Sequence, residues 1–370
     1  MKLIFQILIM LKLLTLSSIA ISASAEKVFE IASPSIVVVK IFNSKNALLG
    51  LGSGVVVEKD KIITNCHVAK AKPNINLIVE YKDNNYDADL IGQLEEYDLC
   101  LIQTNNLNAP IVTIKHASEL KVGQKVYAIG TPSGLELTLT DGLISSLRNF
   151  NGESKIIQTS AAISPGSSGG GLFDDNGKLI GVTTFKLKDA DGINFAHLAE
   201  HAIELLKLSA LVSSKPESPK LVFSNDTKGM AWLNDMSQRL EKRLPNQAYR
   251  EEFLKSVHYE ATRAGLDPQL VLGLIQVVSG FSKLAVTPKG NGYMRISKKW
   301  IKRIGSPEHN LFHLRLNLRY GCTILRHYID VENGDLYKAL NRYNESPPKD
   351  PQFPNEVVGA WRKHWDYKPV

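Results

Sequence analysis

Nine short runs of β-branched or alternating apolar residues occupy the sequence between residues 27 and 197. Among them are SIVVVKIF, INLIVEY, LCLIQT, KVYAIG and KLIGVTTF, and Gly, Asn and Asp separate the runs at short intervals. Short strands with turn signals at this spacing are typical of an antiparallel sandwich or barrel. This part of the chain is therefore predicted to be all-β.

Helical periodicity replaces this pattern after residue 196. The run AHLAEHAIELLKLSALV spaces its apolar residues by about 3.6 positions, and further runs repeat that spacing between residues 231 and 334. Asp267 followed by Pro268 is typical of a capped helix start with proline in the first turn. The proline-rich segment 346–355 is predicted to be irregular.

The change of pattern divides the 370 residues into segments. The polar, proline-bearing stretch SSKPESPK is typical of a linker. We predict a signal peptide at 1–25, a β-barrel module at 26–211, a linker at 212–230 and an all-helical module at 231–370.

The first 25 residues have the pattern of an export signal. A basic start and an apolar stretch lead to the small residues ASA at 23–25, which fit cleavage by signal peptidase before Glu26. The alternative is a membrane anchor, but Lys12 leaves an apolar stretch too short to span a bilayer. We therefore expect a periplasmic or secreted protein with no stable membrane span after signal cleavage.

Only three cysteines occur, Cys66, Cys100 and Cys322. This number excludes a disulfide-rich scaffold and a four-cysteine zinc site. The compartment that an export signal implies permits a disulfide. Cys322 falls within a predicted helix and is expected to be a packed core thiol.

Charge is unevenly distributed along the chain, whose formal net charge is +7. Residues 231–370 hold 22 Lys and Arg against 14 Asp and Glu, a net charge of +8, whereas residues 26–230 hold 20 against 23. A basic domain favours anionic polymers or membrane surfaces, but the same charge also serves plain solubility. Both interpretations stay open, and no nucleic-acid partner is predicted.

A histidine, an aspartate and a serine stand in an order that fits nucleophilic catalysis. His67 follows an apolar strand in IITNCHVAK, Asp98 begins another in YDLCLIQ, and Ser168 lies in the glycine-rich turn 166–170. Acyl transfer by serine needs a base, a carboxylate that orients the base, and backbone N–H donors. Each residue alone has an ordinary structural explanation, but the three together predict a catalytic triad. A phosphate-binding loop would need Gly-Lys-Ser/Thr entering a helix, which this turn lacks.

Residues 27–200 resemble an HtrA/Deg-type trypsin-fold serine protease. The segments GSGVVVEKDKIITNCHV, YDLCLI and QTSAAISPGSSGGGLFDDNGKLIGV are similar to its histidine, aspartate and nucleophile motifs. The segment ASELKVGQKVYAIGTPSGLELTLTDGLISSL follows its inter-barrel region. The resemblance implies a chymotrypsin-like double β-barrel with six strands in each barrel, with His67 and Asp98 on the first barrel and Ser168 on the second.

The same resemblance implies roles for neighbouring residues. The nucleophile is the serine followed by Gly-Gly, so Ser168 attacks and Ser167 occupies a turn position. The amides of Gly166 and Ser168 would form the oxyanion hole. Ala162 and Thr183 would line the S1 pocket, where a small apolar residue argues against cleavage after Lys or Arg. PDZ domains commonly follow this protease, and no sequence like them is recognisable here.

Two of the cysteines lie beside the predicted triad. Cys66 directly precedes His67, and Cys100 follows Asp98 by two positions. If the triad forms, both cysteines lie on neighbouring strands, and a disulfide bracing His67 and Asp98 is one expectation. Two small buried thiols are the other.

Residues 249–346 resemble the lysozyme-like domain of soluble lytic transglycosylases. GLDPQLVLGLIQVVSGFSKLAVTPKGNGYMRI and NLRYGCTILRHYIDVENGDLYKALNRYNES follow that family's helices, with its Tyr-Asn signature at Tyr343 and Asn344. Cleavage of a glycosidic bond requires a carboxylic acid that protonates the leaving oxygen. The family's acid is the glutamate before a serine-phenylalanine step, whereas here Val278 precedes Ser279.

The other positions of this motif do not replace the missing acid. Gln276 lies two residues before Val278 and is an amide, and the family's Gly-Leu-Met-Gln reads GYMR, ending at Arg295. We therefore predict a helical domain that retains the fold and has lost the chemistry. Arg295 and Tyr343 are candidate glycan contacts, and a spacer without a ligand is the alternative.

These observations together predict an exported serine endopeptidase that acts through an acyl-enzyme. Ser168 would be the nucleophile, His67 the general base and then acid, and Asp98 the group that orients the imidazole. The substrates would be proteins or peptides, the helical domain would bind peptidoglycan, and the mechanism needs neither a metal nor an organic cofactor. One alternative is a binding or scaffold protein with an idle triad. The other is a peptidoglycan lyase whose acid comes from an unexpected residue.

Overall fold

Two barrels and a helical domain make up the described part of the chain. The computed structural model describes residues 24–70, 75–131, 137–150, 154–186, 192–213, 227–305, 309–347 and 349–367. The predicted signal peptide lies outside these residues except for its last two positions, and so does most of the predicted linker. None of the described helices is long and apolar enough to cross a membrane.

The first barrel closes in the order β1-β2-β3-β6-β5-β4 with antiparallel pairing throughout. Its strands are β1 Ile36–Asn43, β2 Leu48–Glu58, β3 Lys61–Asn65, β4 Ile75–Tyr81, β5 Asn84–Leu94 and β6 Leu99–Gln103. Alternating side chains point to opposite faces of a strand, and Val37, Val39 and Ile41 of β1 are buried in this way. The core is tight at Gly54, where an added Cβ would lie 2.5 Å from Ile62 Cγ2.

The second barrel closes in the order β10-β11-β12-β9-β8-β7. Its strands are β7 Lys125–Gly130, β8 Thr138–Phe150, β9 Ser154–Thr159, β10 Gly171–Phe173, β11 Leu179–Lys186 and β12 Asn194–Leu198. Strands β8 and β10 are not among the predicted runs. In β8, Asp141 and Gly142 interrupt the strand pattern. Glycine is needed there, because a Cβ at Gly142 would lie 2.2 Å from the backbone N of Ala161.

Helices flank the barrel strands, and the later helices form the helical domain. They are α1 Ala25–Ala32, α2 Cys66–Ala69, α3 Glu200–Ser213, α4 Thr227–Leu240, α5 Gln247–Arg263, α6 Pro268–Ser279, α7 Lys298–Ile304, α8 Leu314–Val331, α9 Leu336–Asn344 and α10 Gln352–Ala360, which continues as a π-helical turn Trp361–Trp365. A short ribbon of β13 Val286–Thr287 and β14 Gly290–Asn291 interrupts the helical domain. As predicted, Asp267 caps α6, since its carboxylate accepts from Gln269 N at 2.7 Å.

Residues 196–198 form the end of β12, so the prediction of a helix for these three residues was wrong. Ala196 pairs with Ile157 of β9 and is fully buried in the barrel. Strand pairing therefore prevails over the helical spacing, which governs the chain only from Glu200. Helix α3 then extends beyond residue 211 to Ser213.

The prediction of irregular structure for 346–355 was wrong from residue 352 onward, where α10 begins. Asp350 Oδ1 accepts from Gln352 N at 2.9 Å and so supports the first turn. Pro354 lies within that turn, where its missing N–H has no helical acceptor to lose. At the other end of the domain, α4 begins at Thr227, four residues before the predicted boundary.

The helical domain packs on the first barrel through a shared hydrophobic core. Leu94 of β5, Leu205 of α3 and Ile304 of α7 belong to one buried cluster. At Gly92 of β5, an added Cβ would lie 3.0 Å from Leu205 Cδ1 and 3.4 Å from the carbonyl O of Arg303. The contact between β5 and α7 therefore depends on the absence of a side chain at Gly92.

Gly92→Val is expected to destabilise the protein by about 1–3 kcal/mol, because extra methyl groups would be forced into this filled contact. Urea unfolding followed by circular dichroism measures the change. Gly359→Ala is the matched control, since nothing lies within 4 Å of a Cβ added in α10. It is expected to leave the free energy of unfolding unchanged or raise it by up to about 1 kcal/mol. Equal effects of the two substitutions would contradict the tight contact at Gly92.

Candidate active site

His67 and Asp98 are brought together by the pairing of β3 with β6. The register places Asn65 opposite Leu99, so the segments that leave these strands lie side by side. His67 lies in the short helix α2, directly after β3, and Asp98 follows the 3-10 turn Glu95–Tyr97. The antiparallel ladder therefore determines which two side chains meet.

The Asp98 carboxylate holds His67 through both of its oxygens. Oδ2 lies 2.6 Å from His67 Nδ1, and Oδ1 accepts from the His67 backbone N–H at 2.9 Å. Asp98 itself is left-handed, with φ 49°, a conformation that a short polar side chain tolerates better than a bulky one. Because Nδ1 is engaged by the carboxylate, Nε2 is the ring atom left to exchange a proton with a substrate or nucleophile.

Thr184, on β11 of the second barrel, adds a third hydrogen bond to this carboxylate. Its hydroxyl donates to Asp98 Oδ2 at 3.0 Å. Burial raises the pKa of Asp98, but the hydrogen bonds from His67 and Thr184 outweigh burial and hold that pKa below its usual value. Asp98 is therefore ionised at neutral pH, which is the form that stabilises an imidazolium.

Ser168 lies in a turn that the first barrel holds. Ser53 of β2 donates its backbone N–H to Ser168 O at 2.8 Å and its hydroxyl to Gly166 O at 2.9 Å. Gly169 has φ 86°, and a Cβ there would lie 2.2 Å from the carbonyl O of Ser53. Glycine is required at this position by both its backbone angle and the close approach of β2.

The Ser168 hydroxyl donates to the carbonyl O of Thr184 at 3.0 Å. Within the described ranges, no hydrogen bond joins it to His67. Thr184 therefore contacts the carboxylate with its side chain and the serine with its backbone. No backbone acceptor for the N–H groups of Gly166 and Ser168 is found among the described residues.

Ala162 and Thr183 line one small cavity beside the Ser168 turn. The cavity measures about 30 Å³, and none of the described residues that line it is charged. Thr183 is 1% exposed and donates its hydroxyl to Ser167 O at 2.6 Å. The Ala162 carbonyl accepts from Thr140 Oγ1 at 2.7 Å. A space of this size and polarity suits a small uncharged group.

Cys66 and Cys100 form a disulfide, with their Cα atoms 4.8 Å apart. It joins the start of α2 to β6 and so flanks the His67–Asp98 pair. Cys322 is free and buried in α8, as predicted, and burial raises the pKa of its thiol. No cluster of His, Cys, Asp or Glu that could hold a metal ion occurs among the described residues.

The helical domain has no acid at the position that the transglycosylase resemblance indicates. Val278 is 6% exposed and belongs to the hydrophobic core. The Gln276 amide oxygen accepts from Trp365 Nε1 at 2.9 Å and from Arg243 Nη1 at 3.3 Å. Ser279 donates its hydroxyl to Tyr293 O at 2.6 Å. These side chains therefore make their hydrogen bonds and packing contacts within the domain.

The predicted glycan contacts are engaged within the domain. Tyr343 donates its hydroxyl to Met294 O at 2.7 Å, and Arg295 donates to the side chain of Asn344. The cavity beside Arg295 and Tyr343 measures only about 10 Å³. Glu260 is a fully buried carboxylate of the same domain, but Arg319 and Arg263 neutralise it.

Two family profiles match this chain. The trypsin-like peptidase domain matches residues 52–182, and the SLT transglycosylase domain matches residues 255–351. The chain carries a trypsin-like peptidase domain followed by an SLT domain. The predicted double β-barrel and lysozyme-like helical domain are thereby confirmed, as is the combination of the two.

HtrA-type serine endopeptidases are homologues of the peptidase domain. The periplasmic pH-dependent serine endoprotease DegQ of Escherichia coli is 37% identical over 150 residues, which cover 39% of this chain and 33% of DegQ. The serine protease Do-like HtrA of Bacillus subtilis is 34% identical over 171 residues, which cover 42% of this chain and 38% of that protein. The chain thus spans about a third to two fifths of the length of these relatives.

Among solved structures, the serine endoprotease from Yersinia pestis is 31% identical, with a TM-score of 0.44. The match covers 50% of this chain and 66% of that one.

Ser53 and Thr184 of the peptidase domain are members of the site that sequence patterns do not identify. Ser53 stands in GLGSGV and Thr184 in GVTTF, both within strands. A small hydroxyl residue between glycines, or at the end of a buried strand, is a weak signal of such a role. Their contacts with Ser168 and Asp98 arise only when the two barrels close on each other.

Thr184→Val in the peptidase domain is expected to lower stability at neutral pH and to shift acid unfolding to a higher pH. A carboxylate whose pKa is lowered by folding adds stability above its unfolded-state pKa, and this stability is lost as pH falls through the folded-state value. Loss of the Thr184 hydroxyl raises the pKa of Asp98 and removes a charge-assisted hydrogen bond worth about 1.5–3 kcal/mol. The variant should therefore unfold at a higher pH than the wild type.

Circular dichroism during acid titration measures this difference. Thr140→Val is the matched control, because its hydroxyl binds the carbonyl of Ala162 and not a carboxylate. An acid midpoint that is the same in Thr184→Val and in the wild type would contradict the role given to this hydrogen bond.

Proposed function

We propose that this protein is an exported serine endopeptidase that cleaves peptide bonds through an acyl-enzyme. The observation that supports this most is the two-point contact between the ionised Asp98 carboxylate and His67, beside the Ser168 turn. Ser168 Oγ turns from the Thr184 carbonyl to His67 Nε2 and attacks the scissile carbonyl carbon. His67 takes the serine proton and gives it to the leaving amine. Water then hydrolyses the ester by the same route.

The turn around Ser168 supplies the remaining parts of this mechanism. The amides of Gly166 and Ser168 stabilise the oxyanion of the tetrahedral intermediate, which is commonly the largest single contribution to such catalysis. The cavity at Ala162 and Thr183 is small and its described lining is uncharged, which favours a small aliphatic P1 side chain and disfavours Lys and Arg. Protein or peptide substrates with such residues are therefore the expected class.

The protein would act in the cell envelope or outside the cell. Its first 25 residues have the pattern of an export signal, and the name of the Escherichia coli relative places that protein in the periplasm. An oxidising compartment also fits the disulfide between Cys66 and Cys100.

The SLT domain would bind peptidoglycan without cleaving it. Val278 cannot transfer a proton, and the buried Glu260 is already paired with arginines. Arg295 and Tyr343 are the candidate glycan contacts, and they would have to leave their present hydrogen bonds to admit a sugar. The positive charge of this part of the chain favours an anionic polymer.

Casein cleavage by the mature chain, beside its Ser168→Ala variant, tests the peptidase. Loss of the nucleophile is expected to lower kcat by about a thousand-fold or more. Ser167→Ala is the matched control. It should retain cleavage, because Ser167 contributes its backbone carbonyl to the turn. Cleavage that survives in Ser168→Ala, or no cleavage by any form, would contradict this function and favour the scaffold alternative.

Sedimentation with purified sacculi tests the SLT domain. The mature chain is expected to sediment with them, and Ser168→Ala to do so equally, because the two sites lie on different domains. Soluble muropeptides should not be released. Their release by Ser168→Ala would show a lyase whose acid lies elsewhere, and a chain that stays in the supernatant would leave the SLT domain without a glycan role.

A further inference from the structure

The turn that carries Asp98 is held from outside the peptidase domain. Arg303, in α7 of the SLT domain, places Nη2 2.7 Å from Glu96 Oε1. Glu96 lies in the 3-10 turn Glu95–Tyr97, two residues before Asp98. An ion pair between the two domains therefore ends within two residues of the group that holds His67.

Arg303 also lies beside a second carboxylate. Its Nη2 is 3.3 Å from Glu204 Oε1 on α3. Burial raises the pKa of Glu204, and with the charge of Glu96 it holds that pKa above its usual value although Arg303 lowers it. The guanidinium thus lies between two carboxylates that repel each other, and its single positive charge offsets part of that repulsion.

Among the described residues, Lys70 pairs with the neighbouring Glu95, and no Lys or Arg other than Arg303 lies within salt-bridge distance of Glu96 or Glu204. His327 Nε2 is 3.4 Å from Glu204 Oε1. Burial, however, lowers the pKa of His327 to about 4, so it is neutral at physiological pH. The charge balance at this junction therefore depends on Arg303.

Arg303 and the turn that carries Glu96 are each held by their surroundings. The Arg303 guanidinium lies 4.9 Å from the centre of the Trp300 ring, and its backbone carbonyl packs against Gly92 of β5. On the other side, the ring of Tyr97 stacks on His201 of α3 at 3.9 Å. The turn before Asp98 is therefore held between α3 and α7.

We propose that Arg303 is a positioning residue for the peptidase triad, so that the rate of peptide cleavage depends on the docked SLT domain. Without the guanidinium, Glu96 and Glu204 repel each other across the junction, and the turn moves away from α3. Asp98 moves with the turn, and its contact with His67 Nδ1 is lost or lengthened. This inference rests on the proposed serine endopeptidase function and gives the SLT domain a part in it that needs no glycan.

Steady-state kinetics of the full mature chain on a fluorogenic peptide tests the proposal. Arg303→Ala is expected to lower kcat about ten- to a hundred-fold with little change in KM, because it misplaces a triad member and leaves the substrate pocket intact. Arg303→Lys keeps the charge and should recover part of kcat. Lys299→Ala is the control, since Lys299 lies on the same helix but pairs with Glu345 of its own domain.

Two variants distinguish positioning from a general loss of stability. Glu204→Gln in the Arg303→Ala background removes one of the two repelling charges and is expected to restore most of the lost kcat. Glu96→Gln leaves the SLT domain unchanged, and in the Arg303→Ala background it removes the other repelling charge, so it should restore kcat as Glu204→Gln does. A variant that had simply unfolded would not respond in either way, and melting temperatures measured alongside would reveal it.

The outcomes separate this inference from the function on which it rests. No cleavage by the wild type would overturn the peptidase function and the inference with it. Cleavage by the wild type with an unchanged kcat in Arg303→Ala would overturn the inference alone. So would a loss of kcat in Arg303→Ala that Glu204→Gln fails to restore.

Discussion

The hydrogen bonding of the Asp98 carboxylate is the interaction on which the site depends. A partly buried carboxylate stays ionised only while donors satisfy it. Here the donors come from both barrels, because His67 belongs to the first and Thr184 to the second. The first barrel also supports the second, because Ser53 donates hydrogen bonds to the turn of Ser168. The relative positions of His67, Asp98 and Ser168 therefore depend on how the two barrels pack on each other.

The sequence predicts the parts of this arrangement that have local signals. His67, Asp98 and Ser168 each stand in a short motif at a strand end or in a glycine turn, and such motifs can be read without the fold. Ser53 could not be found in this way, because its hydroxyl reaches Gly166, which is 113 residues distant along the chain. The sequence pattern did not predict the long strand β8, for a related reason. Gly142 of this strand is required by the close approach of the Ala161 backbone and not by strand propensity.

In the SLT domain, a packed side chain occupies the position at which the transglycosylase resemblance places an acid. Val278 joins the core, and the Gln276 amide binds the indole of Trp365. Neither arrangement leaves a group that could protonate a leaving oxygen. The same domain presents Arg303 to the peptidase, and the packing of α7 on β5 at Gly92 brings this charge to the turn of Asp98. The valine at position 278 can be found in the sequence. The contact of Arg303 with Glu96 cannot, because it joins two domains and depends on how they pack.

Covalent labelling with a fluorophosphonate, followed by peptide mapping, tests the central claim most directly. Such a probe reacts only with a serine whose proton is taken by a positioned base. We expect an adduct on Ser168 of the full mature chain, none on the adjacent Ser167, and none in His67→Ala. An adduct on Ser167, or a wild-type chain that the probe leaves unmodified, would contradict it.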